Sequence, residues 1–503
     1  IIAMLKIYNT LSRKIEDFTP IEKDTDSAGS TGSLQAGSPQ AVGIYTCGPT
    51  VYREVHIGNF RTYIGADILR RVLIYNGFRV VHIKNITDVG HMRSTNEHHG
   101  SAGSPQVIQV DPIIEEALRE GKAPQEIARH FTDLYLKDEK KLNILPATFC
   151  PKASDHIKEM IAIIKILIEK GLAYEVHSAG SGSSTDGNVY FDVKKFKNYG
   201  KLSGNTLDKM ENLLEAVRVS VETDKKDSAD FALWKKAEKD RLMKWDSPWG
   251  QGFPGWHIEC SAMSIKYLGD SFDIHTGGED LIFPHHEDEI AQSEGASGKK
   301  FAKYWMHGGY LLINEEKMSR SKGNIYTIKE LDKKGYEPLA FRYLTLMTHY
   351  KSKMNFTLDA LGGAQTALNN LREIASSFKQ KQNIGCAEFE ERFSEAINDD
   401  LNIPKALGIV WELTKSDYPD SAKAQSLFKF DEVLGLDLEN AKEFLKNKRE
   451  EKIPEEIQML IKERIELRKK KRYLLADQWR HKIRRKGYDI QDGKNGKTIV
   501  KKI

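Results

Sequence analysis

Val42 to Phe60 reads VGIYTCGPTVYREVHIGNF. Its first five residues, Val42 to Thr46, are mostly β-branched or aromatic and predict a short buried strand. Further on, Phe60, Ile64, Ile68 and Val72 stand four apart, one face of a helix that stops near Asn76-Gly77. A strand feeding a glycine-containing turn and then a helix leaves free backbone N–H groups and the positive dipole end at Gly58-Asn59. That is a favourable place for a phosphate. His56 adds a donor able to follow charge onto a transferring phosphate. Alone, the letters HIGN are a weak signal; a second cationic loop downstream strengthens them.

Working outward, Phe78 to Thr87 (FRVVHIKNIT) reads as a second buried strand. Strand, helix and strand within about 45 residues make a βαβ unit, hence a doubly wound parallel α/β core. Thr87 and Asp88 fall at the carboxyl end of that strand, where ligands bind in such sheets. From Asp111 to Gly171 the apolar spacing turns helical, and Tyr174 to Val193 has hairpin character. Because α/β patterning resumes at Trp249, residues 111–240 read as an insertion between two halves of one sheet domain; a separate domain fits the same pattern.

Trp249 to Glu294 is the densest stretch. Cys260 is expected where a helix opens, Phe272 to His275 in a strand, and Thr276-Gly277-Gly278 in a tight turn. Pro284 is expected to start another helix, which sets His285 and Glu289 one turn apart on one face. Cys47, Cys260, His285 and Glu289 are compatible with Zn2+. From spacing alone, buried core thiols and an ordinary helix-surface pair are the commoner reading of such residues. Lys317 to Asn324, KMSRSKGN, carries three cations after the apolar strand Tyr310 to Ile313. Facing the HIGN turn, such a loop can clamp a triphosphate and stabilise departing pyrophosphate.

The rest reads as helical, with a break at Pro404. Lys462 to Lys486 holds twelve Lys/Arg against three acids, interleaved with Tyr473 and Trp479. One face suits nucleic acid, while Leu475, Trp479 and Ile483 are expected to point inward.

With 503 residues, 40% hydrophobic and 29% charged, the chain is a soluble multidomain protein by composition. No apolar run reaches the roughly 20 residues of a membrane span. Met4 is the expected start, without a secretory signal before it. Four cysteines without paired spacing argue against a disulfide framework and for a reducing cytoplasm. Net charge is only +4, so any polyanion partner must meet a local patch. Three Ser/Gly/Ala-rich segments, 27–39, 100–105 and 178–187, read as linkers, either native loops or inserted spacers.

Together, YTCGPTVYREVHIGNFRT, KNITDVG, DFALWK, WDSPWGQGFPGWHIECSAMS, FDIHTGGEDLIFPHHEDEIAQ, YWMHGG and KMSRSKGN resemble the cysteinyl-tRNA synthetase family of class I aminoacyl-tRNA synthetases. Asn398 to Asn402 (NDDLN) resembles the start of that family's helical anticodon-side domain. The resemblance spans nearly the whole chain apart from the Ser/Gly segments. It implies a Rossmann-like catalytic domain (4–110 and 241–312) interrupted by a connective domain (111–240). After these come a KMSKS-type stem-contact region (313–380), a helical bundle (381–450) and a basic tRNA-binding region (451–503).

By the same resemblance, Cys47, Cys260, His285 and Glu289 are the ligands of one Zn2+. His56, Asn59, Lys317 and Arg320 are the catalytic contacts to ATP and its Mg2+, joined by Gly58, Gly278 and Asp280. Gly48, Thr87, Trp256 and His275 line the cysteine pocket. Arg320 stands where the family commonly has lysine, and guanidinium geometry differs from that of an ammonium. The segment after Asp88, GHMRSTNEHHGS, also departs from the family pattern, and its histidines receive no role.

The implied reaction is ATP-dependent attachment of L-cysteine to tRNA(Cys) through a cysteinyl-adenylate, by a monomeric cytoplasmic enzyme. A soft metal explains preference for a thiol over serine's hydroxyl without a separate editing site. Two alternatives remain: a related ligase joining cysteine to an amino sugar, and a non-catalytic tRNA- or zinc-binding relative.

Overall fold

The computed structural model describes residues 4–21, 41–91, 93–96, 107–177, 187–205, 224–318, 323–378, 384–450, 454–492 and 498–502. Arg320 and nearly all of the three Ser/Gly/Ala-rich segments lie outside the described residues.

The core elements in chain order are β1 (Ala41–Thr46), α1 (Ile57–Tyr75), β2 (Arg79–Lys84), α2 (Trp256–Leu268), β3 (Phe272–Gly278), α3 (Glu287–Ser297) and β4 (Ala302–Gly308). The strands pair in the order β2–β1–β3–β4, all parallel, with Ile274 opposite Ile44 and Thr276 opposite Thr46. Both faces of the sheet are covered, as parallel sheets require. Val42, Ile44, Ile274 and Met306 pack with Phe60, Ile64, Ile68 and Val72 of α1. On the other face, Tyr45, Ile83, Phe272 and Trp305 pack with Ile258 and Met263 of α2 and Ile290 of α3. The expected doubly wound core is therefore present, and all four apolar residues spaced along α1 are buried. Each contributes roughly 1.5–3 kcal/mol by leaving water.

Strand order reverses direction between β1 and β3. At such a switch point the loops leaving the carboxyl ends diverge and open a crevice. Cys47 follows β1 there, and Gly278 ends β3.

Between β2 and α2 the chain builds helices Pro112–Glu120, Pro124–Lys141 and Ile157–Glu169. It also builds an antiparallel sheet of Ala173–His177, Gly187–Phe191, Phe231–Lys236 and Gly252–Pro254. After β4, helices Pro338–Leu346, Leu358–Ser377, Ala387–Asn398, Ile403–Lys415 and Asp420–Leu434 follow, with Pro404 in the first turn of its helix. The NDDLN turn docks on the N-terminal strand Lys6–Asn9: Asp400 Oδ1 accepts from Tyr8 N–H at 2.8 Å and from Tyr350 O–H at 2.7 Å.

A buried ion cluster ties α1 to these helices. Asp67 Oδ2 accepts from Arg71 Nε at 2.8 Å and Arg342 Nη2 at 2.7 Å. Arg342 also donates to Leu434 O, and Arg71 to Glu432 O.

Phe283 is extended (φ −140°, ψ 132°), so helical backbone resumes at Pro284 as expected and passes through a wide first turn into α3 at Glu287. Three local expectations need correction. Thr276-Gly277-Gly278 is not a turn but the end of β3. The hairpin of helices Glu455–Lys469 and Tyr473–Arg485 buries Ala476 and Ile483, while Leu475 is 39% exposed. The chain's end is not wholly helical: Tyr488–Asp492 and Thr498–Lys502 pair antiparallel. Asp492 holds Arg464 by two bonds of 2.8 and 2.7 Å, which removes this buried arginine from the basic face.

Candidate functional site

The loops at the switch point enclose a cleft with about 970 Å³ of empty space, partly open to solvent. Of the sequence candidates, Cys47, Gly48, His56, Asn59, Thr87, Trp256, Cys260, Gly278, Asp280 and His285 line it. Glu289 and His275 are fully buried and not among the lining residues.

One wall is the turn after β1. Gly48 N–H donates to Asn85 Oδ1 at 2.8 Å, and Asn85 Nδ2 donates to Thr87 Oγ1 at 3.0 Å. Thr87 N–H donates to Pro49 O, and Val51 N–H returns to Thr87 O. A Cβ on Gly48 would sit 1.7 Å from Asn85 O, so this close pairing requires glycine. Opposite, Trp256 lies against His285 with ring centroids 4.3 Å apart.

At the other end of the cleft, His56 is the N-cap of α1, and its Nδ1 accepts from Asn59 N–H at 3.3 Å. Burial lowers the His56 pKa below its ordinary 6.5, so the ring is neutral at pH 7. With Nδ1 accepting, the proton resides on Nε2. The HIGN turn is joined by backbone to the residues just after the KMSRSKGN loop: Ile57 N–H donates to Tyr326 O at 2.9 Å, and His56 bridges to Thr327. Met318 reaches over the turn, its terminal carbon 2.3 Å from where a Gly58 Cβ would be. Lys317 lies 5.5 Å from the Tyr310 ring centroid. Buried Arg61 of α1 secures the segment directly after β4 by donating to Gly309 O at 2.5 Å and Tyr310 O at 2.7 Å.

Behind the cleft, ligand atoms of Cys47, Cys260, His285 and Glu289 lie within 4.8 Å of one another. The two sulfurs are 3.8 Å apart, and His285 Nε2 is 3.0 Å from Glu289 Oε1. Two thiols, one imidazole and one carboxylate suit Zn2+. A second group, Cys47, His275, His286 and Glu289, overlaps the first. His286 Nε2 is 3.4 Å from Cys47 Sγ, and His275 Nε2 is 2.8 Å from Glu289 Oε2. His286 escaped the sequence reading; the doublet of histidines before HEDE's acids was the available signal.

The electrostatics are those of a cation site. Burial alone would raise Glu289, but His275 and His285 outweigh it and hold the carboxyl at about 2. Burial would lower His285, yet Glu289 and Cys260 lift it to about 10. Cys260, raised by burial, is brought down to about 7 by the Cys47 hydrogen bond and His285. Burial pushes the Cys47 thiol well up, and Cys260 adds to the rise. The Glu289 carboxylate thus gathers positive charge on the neighbouring imidazoles, and a divalent ion would supply that charge once protons leave.

The family model for the class I (C) tRNA synthetase catalytic domain matches residues 33–99 and 106–366. Cysteine–tRNA ligase 1 of Burkholderia lata is 41% identical over 498 residues, covering 98% of this chain and 96% of that protein. The cysteine–tRNA ligase of Caldicellulosiruptor saccharolyticus is 40% identical over 521 residues, covering 99% and 100%. That of Thermococcus gammatolerans is 39% identical, covering 99% of each. The fold alone is similar to Mycobacterium tuberculosis methionyl-tRNA synthetase in complex with methionyl-adenylate. There the TM-score is 0.53 at 14% identity, covering 80% of this chain and 91% of that one. From its motifs, its switch-point site and these relatives, the chain belongs to the cysteine–tRNA ligase family of class I tRNA synthetases.

Proposed function

We propose that this protein joins L-cysteine to tRNA(Cys) using ATP, through a cysteinyl-adenylate. The observation that carries the reading is one cleft, lined at one end by the capped turn of α1 and at the other by Cys47, Cys260 and His285.

The substrate carboxylate attacks the α-phosphorus of Mg2+-bound ATP in line, and pyrophosphate leaves. His56 Nε2–H, Asn59 and the first amides of α1 stabilise the charge that builds on the phosphate, with Lys317 and Arg320 on the leaving group. Gly58, Gly278 and Asp280 complete the nucleotide contacts. Gly48, Thr87 and Trp256 shape the cysteine pocket, and His275 acts from behind through Glu289. A terminal ribose hydroxyl of the tRNA then attacks the acyl carbon, and AMP leaves.

Cys47, Cys260, His285 and Glu289 would hold the zinc, in preference to the overlapping group, because they offer two soft sulfurs rather than one. When bound, zinc supplies a soft Lewis acid that a substrate thiolate matches and a hydroxyl does not.

The reading carries a monomer acting in the cytoplasm; among the described residues, no helix is long and apolar enough to cross a membrane. The helices from Leu358 onward and the basic pair Glu455–Lys469 and Tyr473–Arg485 provide the surface for the tRNA's far arm. They also favour a tRNA acceptor over an amino sugar.

The test is charging of total tRNA with labelled cysteine by zinc-loaded protein, with excess serine as competitor. Labelled tRNA that serine does not diminish is expected. No product from folded, zinc-containing protein would overturn the assignment, and transfer to an amino sugar instead would establish the rival ligase.

A further inference from the structure

Two residues beside the candidate zinc ligands, on the same helices as Cys260 and Glu289, form a row that reaches His285. His257, in the first turn of α2, places its Nδ1 2.8 Å from Nδ1 of His285. Its Nε2 lies 3.2 Å from Oδ2 of Asp288, a fully buried carboxylate in the first turn of α3. Asp288 Oδ1 in turn accepts from the Tyr199 hydroxyl. Tyr199 comes from the region between β2 and α2, where the neighbouring Ser203 N–H also donates to Glu287 at 2.8 Å. The first turn of α3 is thereby fastened to that insertion.

The direction of these bonds follows from the chemistry of a metal-ligating imidazole. His285 presents Nε2 toward Glu289 and Cys260, so Nε2 needs its lone pair and the ring proton sits on Nδ1. That proton can go only toward His257 Nδ1, which must accept. His257 then carries its own proton on Nε2, aimed at Asp288 Oδ2. Asp288, accepting from both Tyr199 and His257, is the anchor that fixes the polarity of the whole row.

We propose that His257 is a positioning residue for the metal centre, and that the row Tyr199–Asp288–His257 sets the tautomer and ring orientation of His285. The proposal rests on reading Cys47, Cys260, His285 and Glu289 as the zinc ligands. Outer partners of this kind typically change metal affinity 10- to 100-fold. Its particular consequence is that the insertion, through one tyrosine hydroxyl, bears on how tightly the catalytic half holds its metal.

The experiment measures the zinc dissociation constant of the full chain by competition with a chromophoric chelator, together with the visible absorption of the cobalt-loaded protein. Variants are His257→Ala, His257→Asn, Tyr199→Phe and the Tyr199→Phe/His257→Ala double. His257→Ala is expected to weaken zinc about 10- to 100-fold and to change the cobalt bands. His257→Asn, whose Oδ1 can still accept from His285, should recover most of both. Tyr199→Phe should cost about two- to tenfold, the worth of one hydrogen bond. In the His257→Ala background it should cost nothing further, because the row is already broken.

Zinc binding by folded His257→Ala equal to wild type would overturn the proposal. So would a Tyr199→Phe effect that persists undiminished in the double variant. Should His257→Ala fail to fold, Tyr199→Phe and His257→Asn decide, by the same affinities and spectra. Failure of the underlying reading looks different: wild-type protein would then bind zinc no better than Cys260→Ser, and the proposal would fall with it.

Discussion

Two roles meet at His56, and the structure allows them to be separated. As the N-cap of α1, it accepts from Asn59 N–H; as a cleft residue, it has the proposed role of donating Nε2–H to a phosphate. His56→Ala removes both. Loss of a cap costs about 1 kcal/mol of stability. Against a total of roughly 5–15 kcal/mol, that leaves the protein almost entirely folded at 25 °C. Loss of one preorganised donor to developing charge costs about 10²–10³ in rate. His56→Asn restores the cap, since asparagine is among the preferred N-cap residues. It does not place a donor where the imidazole Nε2 was. The assay is cysteine-dependent exchange of labelled pyrophosphate into ATP, alongside urea denaturation. Both variants should lose exchange by the larger factor, while only alanine loses stability. If His56→Asn exchanges within about threefold of wild type, capping alone explains the residue and the phosphate role is refuted.

Gly48→Ala should be destabilised by about 1–3 kcal/mol in urea denaturation, since its Cβ would lie 1.7 Å from Asn85 O. It should also raise the KM for cysteine, because the displaced turn carries the pocket wall formed with Thr87. Elemental analysis should find about one zinc per wild-type chain and none in Cys260→Ser or His285→Asn. Retention of zinc by His286→Asn would identify the two-sulfur group as the ligands, and its loss would favour the overlapping group. Zinc uptake at pH 7 should release protons into weakly buffered indicator, because Cys47 lies high and His285 at about 10, so both must deprotonate to bind. Asp67→Ala should cost about 3–5 kcal/mol, leaving Arg342 and Arg71 buried without their carboxylate. Burial would raise Asp67, but Arg342 and Arg71 outweigh it and hold its folded pKa below the ordinary 3.8. The Asp67 contribution is therefore present above pH 3.8 and lost as pH falls through the lowered value, which acid denaturation of wild type against Asp67→Asn would show.

The β1–α1–β2 unit was legible because its signals are local: one apolar run, one four-residue spacing, one glycine stop. Features set by distant neighbours were not. Gly277 and Gly278 read as a turn, yet they continue β3 by pairing with His307 and Gly308 of β4, and a Cβ on Gly277 would lie 2.6 Å from the His286 ring. The glycines are there for what packs on the backbone. His285 was visible through its spacing from Glu289, whereas His286 acquires a meaning only from Cys47 and from His307, 2.7 Å from its Nδ1. Leu475 was placed inward although it lies one position from Ala476, and one position on a helix is about 100° of rotation. Asp492, which captures Arg464, lies 28 residues further along, beyond any helical period.

Helix α1 has 19 residues and so spans about 28 Å. Its first turn is bonded to Tyr326, and its far half, through Arg71, to the carbonyl of Glu432. Such a strut fixes the gap between the phosphate turn and the helical bundle like the jaws of a set caliper. On the proposed function, an acceptor RNA that reaches the bundle with its far arm is then gauged by length as well as touched. One with suitable local groups but the wrong separation between its reactive end and its far arm cannot engage both jaws at once.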